Sequence, residues 1–138
     1  MSGKRKEFLV LAIGDREAEG YDERALPRLL QMIDSSAPDA KVFTPLGVLG
    51  FYLRSPRAAS VVERVISQAE SLRDSDKTFA TLGIGLAHGP LIADFHVDGS
   101  VNPTFAPLGE VANRASRAVQ GAQNYREVLS DLYDTRTA

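Results

Sequence analysis

The stretch from Leu82 to Arg117 constrains the fold more than any other part of this sequence. It begins with an apolar run, Leu82 to Leu86, that has the character of a strand and is interrupted by two glycines. The pair Gly89-Pro90 then predicts a turn, because glycine and proline together are strong local breakers. Residues 91–95 are again apolar and predict a second strand after that turn.

The second half of the same stretch predicts a hairpin followed by a helix. Asp98-Gly99 lies between two apolar runs, which is a strong local signal for a β-hairpin, with the next strand at residues 101–105. After a glycine turn at Leu108-Gly109, residues 110–117 have the period of a helix. The predicted order is therefore strand, turn, strand, hairpin, strand, glycine turn and helix.

Length and composition set bounds on the class of protein. A chain of 138 residues predicts a single domain, 1–138, with residues 1–6 as a flexible N-terminus. A net charge of −2 argues against a nucleic-acid-binding protein, which would have a basic face. No apolar run approaches the roughly 20 residues of a membrane span, and no signal peptide is recognisable. Without cysteine there is no disulfide or thiolate chemistry, so we expect a cytoplasmic protein.

The rest of the chain supplies the elements of an α+β fold. Residues 8–13 read as a strand that is buried on both faces, and Leu26, Leu29, Leu30 and Ile33 recur at helical spacing. Two further strands, 41–43 and 48–53, flank a predicted type I turn. Ser55-Pro56 predicts the start of a helix, residues 79–87 a strand, and Tyr125 to Tyr133 a terminal helix with a short strand at 128–129 as the alternative. This β-α-β-β-α-β succession predicts helices packed on a mostly antiparallel sheet.

Two motifs in this order resemble the class III adenylate/guanylate cyclase homology domain. The family has an apolar strand reading roughly IGIHxGPVVAG and, after a hairpin, a helix reading GDxVNxAxR; residues 84–94 and 109–117 are similar to them. The resemblance implies the ferredoxin-like core of that family, in a degenerate and shortened member. We expect room for about one helix, where the family has two, after the first strand, and an end before the family's closing strands.

The resemblance also says where a cyclase would carry its metal ions, and this chain fits poorly there. Family cyclases are dimers with sites at the interface, and one face supplies two aspartates that hold two ions. The first of these aspartates aligns with Ile13. Asp15, two residues further along the chain, is the remaining candidate ligand. The second aligns with Thr44-Pro45, and proline offers no side-chain oxygen to a divalent cation. We expect no metal site in this chain alone, and no Mg²⁺ or Mn²⁺ unless a partner supplies one.

The opposite face of the family site is partly present. Asn113 matches the asparagine that orients the ribose, and Arg117 matches the arginine that stabilises the phosphoryl transition state. Their spacing of four residues puts them on one side of a helix, away from the apolar residues of that helix. Lys41 matches the lysine that reads the purine, while Ala106 stands where the family has an adenine-reading aspartate. His88 is assigned a structural role, and His96 an outward hairpin position.

Three hypotheses about function follow. The leading one is a non-catalytic homologue, not an autonomous enzyme, that acts as a cytoplasmic signalling module through a homodimer or a heterodimer with a cyclase-like or signalling protein. The second is a half-site that completes a nucleotide cyclase with a metal-bearing partner. The third is a divergent cyclase, or a sensor that binds a purine nucleotide without turnover.

Overall fold

The computed structural model describes residues 4–15, 26–44, 47–93, 110–119, 125 and 127–131. In chain order the elements are β1 (Lys4–Asp15), α1 (Leu26–Ser35), β2 (Ala40–Thr44), β3 (Gly47–Leu53), α2 (Pro56–Ser75), a short 3₁₀ helix (Lys77–Phe79), β4 (Leu82–Ala93) and α3 (Glu110–Ala118). Tyr125 and residues 127–131 are also helical. The terminal helix is thus confirmed at these positions, and the alternative strand at 128–129 is wrong.

The four strands form one antiparallel sheet in the order β2-β3-β1-β4. β1 pairs with β3 on one side, with Phe8 opposite Leu53, and with β4 on the other, with Phe8 opposite Gly89. The predicted α+β class with a β-α-β-β-α-β core is confirmed, because α1 and α2 each connect two parallel strands that have a third strand between them. None of the described helices is long and apolar enough to cross a membrane.

The central strand β1 is buried on both faces, as its continuous apolar sequence predicts. Every residue from Phe8 to Ile13 is at most 2% exposed. Leu9, Leu11 and Ile13 pack with α1 and α2 on one side of the sheet, which we call the α1–α2 face. Phe8, Val10 and Ala12 pack with residues of α3 on the other side, which we call the α3 face. The sheet therefore separates two cores, and the larger one lies under α1 and α2.

The start of α2 is fixed by its N-cap, as the sequence predicts. Ser55 is in an extended conformation, and its Oγ accepts a hydrogen bond from the Ala58 N–H at 3.0 Å. Pro56 occupies the first helical turn, where its missing N–H costs nothing. Val62, Ile66 and Ala69 of this helix are fully buried against the sheet.

Two predicted boundaries around β4 are wrong. The strand begins at Leu82 and not at Phe79, which ends the 3₁₀ helix. That helix is capped by Asp76, whose Oδ1 accepts from the Thr78 N–H at 2.9 Å. The buried side chain of Phe79, 4% exposed, belongs to the core on the α1–α2 face without being part of the sheet.

The predicted turn at Gly89-Pro90 is also wrong, because β4 runs through both residues to Ala93. Pro90 lies opposite Glu7, whose carbonyl accepts a hydrogen bond from the Arg54 N–H of the neighbouring segment after β3, at 3.0 Å. The polar backbone groups of Glu7 therefore face β3, so its partner Pro90 directs its own nitrogen away from β1. The proline consequently costs the β1–β4 pair no hydrogen bond.

Several sequence predictions fall outside the described residues. These predictions concern the loop after β1, the turn at Pro45-Leu46, the hairpin around Asp98-Gly99 and the side chain of Asp15. They stay predictions. The same holds for His96 and Ala106.

A buried tyrosine makes the stability of the fold dependent on pH. Tyr52 is 3% exposed, and its hydroxyl shares a hydrogen bond of 2.6 Å with Ser36 Oγ. Burial raises the pKa of Tyr52 from 10.0 to about 12, while the Ser36 hydrogen bond opposes that rise. The folded state thus holds the phenolic proton more tightly than the unfolded state does.

We expect this stabilisation to be complete below pH 10 and to be lost as the pH rises toward 12. The loss by pH 12 is about 2 kcal/mol, because each pKa unit corresponds to about 1.4 kcal/mol. Urea unfolding at pH 9 to 12 measures it, and Tyr52→Phe removes the titration. Ser36 Oγ keeps its bond to the Ile33 carbonyl in that variant. A Tyr52→Phe protein with the same loss of stability between pH 10 and 12 would show that another group titrates.

Candidate functional site

The helix that carries the candidate residues Asn113 and Arg117 is held against β4 by backbone contact. Val111 and Ala115 of α3 are buried against the sheet, 3% and 0% exposed. A Cβ atom added at Gly85 of β4 would lie 2.1 Å from the Ala115 carbonyl oxygen. The glycine therefore lets α3 lie directly on the strand, which a larger residue would prevent.

A second glycine of β4 serves the same helix near its start. Gly89 has a φ of +155°, and a Cβ atom there would lie 2.8 Å from Val111 Cγ2. The Arg114 Nη2 group donates a hydrogen bond of 2.9 Å to the His88 carbonyl next to this glycine. Helix α3 is thus positioned by two glycine contacts and one charged hydrogen bond.

The structure places Arg117 on the outer side of α3, as predicted. Its side chain is exposed, whereas Val111 and Ala115 face the sheet. Asn113 lies one helical turn before Arg117 on α3, and its side chain is outside the described part of the structure. The apolar stripe of α3 is confirmed, and the roles of Asn113 and Arg117 toward a nucleotide stay predictions.

Lys41 lies elsewhere, in the edge strand β2. Its Nζ forms an ion pair with Asp34 Oδ1 at the end of α1, on the α1–α2 face of the sheet. Helix α3 packs on the opposite face. Within one chain, the sheet therefore separates the Lys41 ammonium group from the helix that carries Arg117.

The ion pair of Lys41 is weak enough for a ligand to displace it. The two side chains are 40% and 46% exposed, and a pair as exposed as this contributes at most about 1 kcal/mol. Sequence reasoning did not identify Asp34 as a partner of Lys41. The acid is the next-to-last residue of α1, and β2 begins shortly after that helix ends.

The corner where the resemblance places a metal site is formed by the ends of three strands. Gly14 of β1 pairs with Gly47, which also pairs with Thr44 across the β2–β3 connection. Asp15 follows Gly14 and pairs with Leu82. From Val42 to Leu53 the sequence has no carboxylate, and Pro45 lies in the connection itself. Among the described strand ends, this corner therefore has one carboxylate residue, Asp15, whereas two divalent cations need a set of several oxygen ligands.

Histidine does not compensate for the missing acids at this corner. His88 is half-buried near the other end of the sheet, opposite Leu9. Burial lowers the pKa of His88, and the charge of Arg54 lowers it further. A neutral imidazole at neutral pH agrees with the structural role that was predicted. Among the described residues there is no group of three or more histidines and carboxylates that could hold a metal ion.

Comparison with known proteins supports the fold alone. No model of a known protein family matches this sequence, and neither does any curated protein sequence. A solved structure described as a bacterial light-regulated adenylyl cyclase is similar, with a TM-score of 0.51 and 18% identity. The match covers 83% of this chain and 69% of that one. The chain therefore has a cyclase-like fold.

Sequence reasoning missed the residues that position α3. Gly85 was noticed only as an interruption of a strand, Gly89 only as part of a turn, and Arg114 was not singled out. The available signal was the run of alternating glycines in an otherwise apolar strand, because glycine inside a strand often marks the close approach of another backbone.

Proposed function

We propose that this chain is a cyclase-homology domain that works as a non-catalytic dimerisation and regulatory module. The fold of the similar adenylyl cyclase structure supports the first part. The second part rests on one observation, the donor set at the end of β1. The described strand ends at this corner carry Asp15 and are joined by a connection that contains Pro45 and no acid, where phosphoryl transfer with two metal ions needs paired carboxylates.

The positions of the cations support the same proposal. The Lys41 side chain lies on the α1–α2 face of the sheet and Arg117 belongs to α3 on the other face, so one chain does not bring them to one ligand. Residue Lys41 is engaged with Asp34, and Arg117 is exposed. A purine nucleotide that contacts a Lys41 and an Arg117 side chain would therefore take them from two different protein chains.

An activity assay combined with a mass measurement tests this proposal. The purified chain is incubated with ATP or GTP and either Mg²⁺ or Mn²⁺, beside a cyclase that has both aspartates, and its mass is measured by light scattering. We expect no cyclic nucleotide above background and a stable dimer. Product that disappears in Asp15→Asn would contradict the proposal, and so would a protein that is monomeric at all concentrations.

A half-site is the second candidate, and the exposure of Arg117 favours it. The guanidinium lies on the outer side of α3, where a partner chain that holds a nucleotide and its metal ions can reach it. In this candidate Asn113 and Arg117 complete a site for which the partner supplies both carboxylates. No metal ligand is then needed from this chain.

Mixing experiments separate the two candidates. Adding this chain to a metal-bearing cyclase subunit whose own arginine of this type is removed should restore activity if the half-site exists. The restored activity should disappear with Arg117→Ala and persist with Arg57→Ala, an exposed arginine of α2. Absence of any gain with the wild-type chain rules out the half-site and leaves the regulatory module.

A further inference from the structure

A groove lies between α1 and α2, away from α3 and its candidate residues. It has a volume of about 650 Å³, and its floor includes Met32 and Leu72. Its walls carry Arg28 of α1 and Arg64 of α2 together with four serines and two glutamines. None of the described residues that line the groove has a carboxylate. A concavity with this lining is positively charged and rich in hydrogen-bonding groups.

Three of the four acids of α1 and α2 have partners other than Arg28 and Arg64. Asp34 is paired with Lys41, Asp74 with Arg73, and Glu70 accepts a hydrogen bond of 2.5 Å from the Tyr125 hydroxyl. Among the described residues, no carboxylate lies within ion-pair distance of Arg28 or Arg64. The chain as a whole has a net charge of −2, so this positive groove contrasts with the rest of the molecule.

The two arginines lie toward opposite ends of the groove. Each helix reverses the direction of the strand before it, and β1 and β3 are antiparallel, so α1 and α2 also run in opposite directions. Arg28 is near the start of α1, and Arg64 is in the first half of α2 and therefore lies toward the end of α1. At a rise of 1.5 Å per residue, their separation along the groove is on the order of 10 Å, or two helical turns.

We propose that this groove binds an acidic helix of a partner protein. Two carboxylates of that helix, about two helical turns apart, would pair with Arg28 and Arg64. A groove between two helices accepts a third helix along its length, and guanidinium groups bind carboxylates in a bidentate manner. The narrow apolar floor at Met32 and Leu72 contacts one small side chain of the guest. The serines and glutamines supply the polar rim of such an interface.

Charge complementarity favours this occupant over a second copy in the same orientation. Two copies that met groove to groove would bring Arg28 and Arg64 of each chain close to those of the other, which is repulsive. The groove lies on the α1–α2 face, whereas Arg117 lies on α3 on the opposite face. Changes in the groove therefore leave α3 and its Arg117 untouched.

Fluorescence anisotropy with a designed peptide tests the proposal. The probe is an amphipathic helix with two glutamates seven residues apart, and its matched control has lysines at both positions. We expect the glutamate peptide to bind the full chain, and Arg28→Glu or Arg64→Glu to weaken binding about tenfold each. The Arg57→Glu variant is the control from the same helix, and its affinity should stay within about twofold of the wild type. The lysine peptide should bind only the Arg28→Glu/Arg64→Glu double variant.

Three results would overturn the proposal. The first is that the glutamate peptide fails to bind, or binds the double variant as well as the wild type. The second is that vesicles of phosphatidylserine bind with the same dependence on both arginines and more tightly than the peptide, which would assign the groove to a lipid surface. The third is that the double variant changes from dimer to monomer in light scattering, which would assign the groove to a second copy. All variants replace exposed residues, and their thermal unfolding checks that the fold is intact.

Discussion

Replacing Gly85 with valine is expected to lower the free energy of unfolding by on the order of 3 kcal/mol or more. The new Cβ would lie 2.1 Å from the Ala115 carbonyl oxygen and 3.0 Å from the Ala118 Cβ, so α3 must move away from β4. Backbone atoms cannot make way as a flexible side chain can. Valine has a higher β-propensity than glycine, so any loss of stability comes from the contact and not from the strand. Urea unfolding of the two proteins measures the difference.

The control for this prediction is Gly50→Ala in β3. The three atoms nearest to a Cβ atom at Gly50 would all belong to the Tyr52 side chain, the closest at 3.0 Å. We expect a loss of about 1 kcal/mol or less for this change, because the ring can shift by a few tenths of an ångström. Equal stabilities of the Gly85→Val and wild-type proteins would show that α3 does not lie directly on β4.

Phe8→Ala is expected to cost about 3–5 kcal/mol, through the cavity it leaves between the sheet and α3. Phe8 is fully buried, and it is one of the two largest side chains in the core on the α3 face, with Phe51. That core is the smaller of the two, and it includes Val111 and Ala115 of α3. The loss therefore weakens both the sheet and the attachment of the helix that carries Arg117.

Leu53→Ala provides the comparison for Phe8→Ala, because Leu53 lies opposite Phe8 and is only partly buried against the same core. We expect it to cost no more than about half as much, since Leu53 buries less surface on folding and its truncation leaves a smaller cavity. Chemical unfolding compares the two variants. A Phe8→Ala protein that is as stable as Leu53→Ala would mean that the core on the α3 face contributes little.

The sequence predicts the elements whose signals are local. Three predictions that each depend on a few neighbouring residues are confirmed. They are the strand β1 buried on both faces, the apolar stripe of α1, and the start of α2 at Ser55-Pro56. The predicted break at Gly89-Pro90 is wrong for a reason that is not local. Whether a proline ends a strand depends on which neighbour its nitrogen faces, and the register with β1 decides that.

The candidate site depends even more on long-range geometry. The helix that bears Asn113 and Arg117 could be predicted, because its apolar residues recur on one side. The pairing of Lys41 with Asp34 could not be predicted from the sequence. The face of the sheet on which the Lys41 side chain lies follows from the strand order, which is long-range information. The lack of an acid in the β2–β3 connection can be seen in the sequence alone, because it follows from aligning the family motif with residues 41–51.

The position of β1 has a consequence for how the protein is made. Of the described elements it leaves the ribosome first, yet one of its two partners is β4, which ends at Ala93. Until β4 has emerged, one edge of β1 has no partner strand, and the six consecutive apolar residues of β1 lack that neighbour. We expect newly synthesised molecules to depend on chaperones during this interval, and refolding in vitro to be slower than for helical proteins of similar size.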